Sequence, residues 1–375
     1  MQSSDSQSFM IIQEHITLAP HTTFKIGGPA RFFCSVSIDA ELLEAVTFAR
    51  NKNAPIFILG GGSNILIDDQ GFDGLVIKIE MMGMEKIQDL GGQARFKIQE
   101  IHQEAIVDEK QKRSVDEKKV IVSVAAGERW DDFVDYAVEH GLYGIENLSA
   151  IPGTVGAAPV QNIGAYGAEV SQTILAVHAL DTRTMKFVGL TNGECQFSYR
   201  ESLFRKEKGH YIITRVDFAL GRRGSVNTEY KDVQEYFLKQ NITSPTLKQV
   251  RQAITDIRWG KLPDWKLWGT AGSFFKNPII SAEQFLKLKK KYPELPGYPE
   301  PDGRAKVSLG WILDKVCNAR GLCKGNVCVY EKQALVLIAK PGATSEEVVV
   351  LAQDLMRMVK EKTGIVIEGE VEWVN

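Results

Sequence analysis

Residues 151–167 constrain this chain more than any other stretch. They hold four glycines, three alanines and two prolines, and no charged side chain. Pro152 and Pro159 oppose a helix and remove ladder donors from a strand. The small residues offer little apolar surface to bury, and the absence of charge argues against a solvated loop. The chain must fold this stretch as a close-packed loop against something flat or bulky, or as a hinge. Gln161 and Asn162 add amide donors and acceptors, and Tyr166 adds a hydroxyl.

Short strands and amphipathic helices surround this loop, in an order that predicts α+β domains. Leu42, Leu43, Val46 and Ala49 recur at helical spacing over 39–50. Pro55 to Leu59 is a short apolar run that reads as a buried strand. Glycines 60–62 follow, and then a second strand-like run at 65–67. A further amphipathic helix is expected over 128–140, with Trp130 in the core and Gly141 as its stop. Residues 176–220 alternate as antiparallel strands do, and 248–259 reads as a helix broken by Gly260 and Pro263. Ser281 with Gln284, and Thr344 with Glu347, have the spacing of capping boxes at helix starts. A short helix is expected over 309–317, a buried strand over 334–338 and a loop over 293–303. The charged stretch 108–119 reads as a solvated hairpin tip. We expect a first subdomain over 1–85 joined by the C-terminal strand 366–375, a second over 86–260, and a third domain over 261–365.

Composition excludes some classes of function. A net charge of -2 over 375 residues lacks the basic excess of a nucleic-acid binder. The N-terminus is polar and does not read as a secretory signal. No apolar run approaches the length of a membrane span. A cytoplasmic protein is expected. The five cysteines are sparse and odd in number, which fits reduced thiols. No histidine lies near Cys317, Cys323 and Cys328, so no metal is expected.

Four groups of residues could carry chemistry. The turn Gly60-Gly61-Gly62-Ser63-Asn64 lets backbone N–H groups approach an anion, as a nest does. It is neither a dinucleotide fingerprint nor a P-loop, and a plain tight turn is the other reading. Tyr199-Arg200-Glu201 offers either a surface ion pair or a guanidinium fork for a carboxylate. Glu368, Glu370 and Glu372 alternate, which on a strand puts them on one face. Ala271-Gly272-Ser273-Phe274-Phe275-Lys276-Asn277-Pro278 sets a hydroxyl, a cation and an amide side by side. All six histidines precede Ser273, so a hydrolase of Ser…Asp…His chain order is excluded.

Taken in order, these motifs resemble the UDP-N-acetylenolpyruvoylglucosamine reductase family. The resemblance runs from Thr23-Phe24-Lys25-Ile26-Gly27-Gly28 to Glu370. It rests on Leu59 to Asn64, Ile151-Pro152-Gly153, Gln161 to Gly167, Tyr199-Arg200, Lys261-Leu262-Pro263 and Ala271 to Pro278. It implies a two-subdomain FAD-binding fold of the vanillyl-alcohol-oxidase type with an α+β substrate domain. It also implies non-covalent FAD, NADPH as reductant, and a sugar-nucleotide enolpyruvyl ether as the only partner of a monomer. Gly60, Gly61, Gly62, Ser63, Asn64, Ile65, Pro152, Gly153, Gly156, Ala157, Gly164 and Ala165 would hold the flavin.

In the family mechanism NADPH reduces the flavin, hydride goes to C3 of the enolpyruvyl group, and C2 then needs a proton. Ser273 would supply it, a plausible task for a hydroxyl that no base has activated. Arg200 and Glu370 would act on the substrate carboxylate, where negative charge grows. Tyr166, Tyr199, Lys261, Asn277, Arg320 and Gln333 would bind the rest of the substrate, and Tyr230 would sit on a substrate-closing loop. Arg320 stands where the family usually has lysine. Gly369 stands where it usually has proline, which leaves Glu368 and Glu370 as candidates; Glu370 precedes Val371 as the motif requires. A flavin oxidase of the same fold would turn over without NADPH, and a non-catalytic sugar-nucleotide binder would not need Ser273, Arg200 and Glu370 together.

Overall fold

A computed structural model describes residues 10–89 and 119–375; the charged stretch 108–118 and the first nine residues lie outside them. The chain forms two compact units. Among the described residues, one gathers 10–14, 32–61, 74–89 and 119–258, and the other gathers 15–31, 62–73 and 259–375. The three-part division expected from the sequence remains a proposal, distinct from these two bodies.

A five-stranded sheet organises the first unit. Its strand order is Lys186–Thr191, Ile174–Asp181, Tyr211–Gly221, Lys119–Ala125, Met84–Asp89, and every neighbouring pair is antiparallel. The alternation read over 176–220 is the inward and outward pattern of its central strands. Helix Trp130–Glu139 buries Trp130, Phe133, Val134, Ala137 and Val138. Trp130 and Phe133 pack on Phe218 of the sheet, with centroids 6.0 and 4.7 Å away. The Trp130 indole donates to the Leu148 carbonyl at 2.8 Å, so its one polar atom is satisfied inside the core. Strand Ile56–Leu59 runs parallel to the strand Phe72–Ile79, Ile56 opposite Leu75, and delivers Gly60 at its end.

Two later helices of this unit face each other. Val233 and Phe237 of Lys231–Lys239 pack on Val250, Ala253 and Ile254 of Leu247–Lys261. The longer helix is fastened to Trp130–Glu139 by Arg251, which reaches Asp131 at 2.8 Å and Asp135 at 2.9 Å. Asp131 also accepts from the Ala150 N–H at 2.6 Å, which fixes the chain as it enters the uncharged loop.

In the second unit the helix Ser345–Thr363 buries Val348, Leu351, Leu355 and Val359. Thr344 and Glu347 cap it reciprocally, and Gly364 ends it at φ 71°. Ser281 accepts from Gln284 N–H and starts Ala282–Lys291, though the reciprocal half of the expected box is not formed. The helix expected over 309–317 begins as Leu309–Trp311 and widens to a π-turn at Ile312–Val316. Within the expected loop 293–303, Gly297–Pro299 pairs with Ala305–Val307 as a short strand. The ladder there uses only three residues, too few for an alternation to be visible.

The cysteines differ from expectation. Cys323 and Cys328 face each other across a two-stranded hairpin, with Cα atoms 4.1 Å apart, and form a disulfide. Their separation of five residues suits opposed hairpin positions, which a metal-ligand spacing rule does not detect. Cys34, Cys195 and Cys317 are buried and free. Burial pushes the Cys34 and Cys195 thiols up to about 12, so neither is a nucleophile near neutral pH. Among the described residues no cluster could hold a metal ion, and no helix is long and apolar enough to cross a membrane.

Candidate active site

In the first unit the glycines are explained by their neighbours. A Cβ on Gly60 would lie 2.7 Å from Thr154 Oγ1, and one on Gly61 would lie 2.7 Å from Gly153 Cα. A Cβ on Gly156 would meet the Ala126 Cβ at 2.6 Å. The turn after Ile56–Leu59 therefore lies backbone to backbone against the start of the uncharged loop. The N–H groups of Gly61, Gly153 and Thr154 donate to no acceptor among the described residues. The glycines exist because two main chains touch, and the same contact leaves donors for an anion. This donor set fits an FAD pyrophosphate.

Further along the loop, Gly164 and Ala165 pair with Ala168 and Glu169. Asn162, read from the sequence as an amide offered to a ligand, is instead fully buried and bonded within the protein. Tyr166 adopts φ 49°. Its ring meets Tyr230 edge-on at 5.2 Å, and Tyr230 itself caps helix Lys231–Lys239. The Tyr166 hydroxyl shares a hydrogen bond with Arg258. Burial raises the Tyr166 pKa and the guanidinium partly offsets it. Burial likewise lowers the Arg258 pKa against the pull of Tyr166 and Asp131.

Arg258 also donates to the Ala150 carbonyl at 3.2 Å. The sequence reading passed over it, although it stands three residues before Lys261 on the same helix. An arginine on a helix with mixed polarity gives no signal by type; only its bonds to Tyr166 and the Ala150 carbonyl mark it.

Tyr199 and Arg200 form the tip of a tight turn. Ser198 and Glu201 exchange both backbone bonds, at 3.0 and 3.1 Å. Arg200 holds φ 54°, a position where turns favour glycine. Its Nη2 donates to the Gly164 carbonyl at 2.8 Å, and its Cζ lies 5.4 Å from the Tyr199 ring. Glu201 faces Arg205 at 3.7 Å.

The second unit carries the remaining candidates. Gly62 has φ 62°, and a Cβ there would meet the His21 carbonyl at 2.1 Å. Its N–H also donates to no acceptor among the described residues. Asn64 Nδ2 donates to the Glu370 carbonyl at 3.2 Å, and Ile65 pairs with Glu372. Both residues thus tie the turn to the C-terminal strand.

Ser273 sits in an extended stretch gripped from two sides. Ser273 bridges Val336, and Phe274 N–H donates to the Leu335 carbonyl at 2.8 Å. On the other side Phe275 bridges Gly369, and Glu370 N–H donates to the Phe274 carbonyl at 2.8 Å. Phe274 and Phe275 are buried and anchor the stretch. Beside Ser273, Gly272 turns at φ 73° and has nothing within 4 Å of its Cβ direction.

The three glutamates do not share one strand. Only Glu372–Val374 is extended, and the chain bends at Glu370 and Val371. Glu368 is exposed and lies 4.0 Å from Lys276, whereas Glu370 is half-buried. Asn277 Oδ1 accepts from Leu309 N–H at 3.0 Å, and Gln333 Oε1 accepts from Leu335 N–H at 3.3 Å. Arg320 is aimed by Asp314 at 2.8 Å and by the Glu331 carbonyl at 3.2 Å. Lys261 is half-buried at the end of its helix.

Comparison with known proteins matches both units. Residues 264–374 match the model of the UDP-N-acetylenolpyruvoylglucosamine reductase C-terminal domain. Residues 30–99 and 102–184 match an FAD binding domain. The chain is 38% identical to the UDP-N-acetylenolpyruvoylglucosamine reductase of Chromobacterium violaceum, over 95% of this chain and 96% of that one. It is 38% identical to the Pseudomonas aeruginosa enzyme of the same name, over 96% and 98%. The crystal structure of the Thermus caldophilus reductase superposes with a TM-score of 0.64 at 23% identity, covering 98% of this chain and all of that one. The fold is thus α+β with an FAD-binding domain, and the chain belongs to the UDP-N-acetylenolpyruvoylglucosamine reductase family.

Proposed function

We propose that this protein reduces the enolpyruvyl ether of UDP-N-acetylglucosamine to UDP-N-acetylmuramate, a step of peptidoglycan precursor synthesis. The relatives that match over nearly its whole length carry this reaction in their names. FAD, when bound and reduced by NADPH, supplies hydride to the double bond of the substrate. The N–H groups of Gly61, Gly153 and Thr154 would hold its pyrophosphate. Pro152, Gly156, Ala157, Gly164 and Ala165 would line the flavin. Ser63, Asn64 and Ile65 secure the turn.

Arg200 binds the substrate carboxylate, and Glu370 acts on the same group, where negative charge grows. Ser273 Oγ donates its proton to C2 and recovers one from solvent. Lys261 and Arg320 meet the diphosphate with charge-assisted bonds. Tyr166, Tyr199, Asn277 and Gln333 fix the remainder, and Tyr230 covers it. The observation that carries the assignment to Arg200 is its turn. A side chain is held in a glycine conformation there, a cost usually kept for function. Glu370 is preferred to Glu368 because the latter is exposed beside Lys276.

The protein works as a monomer in the cytoplasm on a small sugar nucleotide. The test is NADPH oxidation by purified, flavin-loaded protein with and without the enolpyruvyl substrate. Oxidation is expected only when substrate is present. Turnover driven by oxygen alone would sink the assignment.

A further inference from the structure

A buried amide beside the Arg200 turn has no share in the roles given above. Asn162 is fully buried, at φ 45°. Its Nδ2 donates to the Ser198 carbonyl at 3.1 Å and to the Glu169 carboxylate at 2.8 Å. Its Oδ1 accepts from Ser171 N–H at 3.1 Å. One short side chain therefore supplies two donors and an acceptor, and among side chains this short only asparagine does so.

Ser198 opens the turn whose tip is Tyr199 and Arg200. Just past the turn, Ser202 is also fully buried and donates to the Val160 carbonyl. The loop at 160–162 thus grips the turn on both sides of Arg200. That grip matters because Arg200 sits at φ 54°, which an L residue leaves unless its surroundings hold it. Its Nη2 donates to the Gly164 carbonyl at 2.8 Å, and a Cβ on Gly164 would lie 3.0 Å from Nη1.

We propose that Asn162 is a positioning residue for Arg200: its amide locks the Ser198–Glu201 turn to the uncharged loop and so fixes the guanidinium for the substrate carboxylate. The proposal rests on the reading of Arg200 given above. Asn162 touches no substrate. It acts by keeping the fork where the carboxylate must arrive, and misplacement by about 1 Å can cost roughly 100-fold in rate.

The test uses Asn162→Gly in the flavin-loaded protein, because glycine tolerates φ 45° and removes the side-chain amide. Hydrogen exchange at the Glu201 amide should rise about tenfold or more, while amides of the strand 211–221 stay unchanged. Flavin reoxidation by the enolpyruvyl substrate should slow roughly 100-fold, while reduction by NADPH stays within about twofold. The double variant with Arg200→Met should be no slower than Arg200→Met alone, since both remove one function. Unchanged exchange at the turn, equal slowing of both half-reactions, or multiplying effects would each overturn the proposal.

If Asn162→Gly fails to hold flavin, Asn162→Asp keeps the acceptor for Ser171, loses the donors, and is read in the same way. A wild-type protein that ignores the enolpyruvyl substrate would refute the proposed function instead. The exchange comparison would still decide whether Asn162 holds the turn.

Discussion

Ser273 donates to no acceptor among the described residues, and the open side of Gly272 lies next to it. In the proposed reaction, a hydroxyl so placed keeps its proton for a strongly basic carbon. Ser273→Ala should leave reduction of the flavin by NADPH intact and slow its reoxidation by substrate by about 10² to 10⁴, the usual span for a lost general acid. Stopped-flow absorbance of the flavin separates the two steps, and normal reoxidation would end the proton-donor assignment. At Gly61 the expectation is steric. A Cβ 2.7 Å from Gly153 Cα must push the touching main chains away from each other. Gly61→Ala should cost about 1–3 kcal/mol of overpacking and weaken flavin binding, as read by titrating flavin-free protein. The sequence carried the glycines but not their reason, because the neighbour that forbids a side chain is far along the chain. It carried Asn162 as a polar residue, yet its burial and its three partners come only from the fold.

Elements defined by local rules were the most legible. The spacing of Thr344 and Glu347 marked the start of Ser345–Thr363, and both halves of that cap are formed. Thr344→Ala should lower stability by about 1 kcal/mol with flavin content unchanged, measured by thermal unfolding and absorbance on the same samples. Loss of flavin in that variant would contradict the separation of helix start and site. Elements of two or three residues were not legible. Gly297–Pro299 and Cys323–Lys324 form only because partners across a sheet present matching edges. The disulfide belongs with them, since opposition in a hairpin decides it and composition does not. Closing so short a loop should contribute about 2 kcal/mol. Cys323→Ser with Cys328→Ser should therefore lower the unfolding midpoint modestly, and no change would argue that the hairpin needs no cross-link.

Across the whole molecule, pH should act through carboxylates held ionised. Burial works against the Asp181 charge, but the N–H groups of Arg183 and Thr184, and His210 at 2.9 Å, outweigh it and lower its pKa. A lowered carboxyl contributes stability above its unfolded value, about 3.9, and loses it as pH falls through the folded value. Asp181→Asn should therefore be less stable than wild type at neutral pH, with the gap closing in acid, as compared by chemical denaturation at several pH values. The α+β class was readable because its longer elements follow local patterns. The grouping into two bodies was not, because 15–31 and 62–73 join residues past 258, which no local pattern announces. The contact of Gly61 with Gly153 is of the same non-local kind. Such contacts must wait for long loops to close, which is slow. The anion cradle should accordingly be among the last regions of the chain to mature, so that the rate of flavin uptake by refolding protein serves as a clock for the completion of its fold.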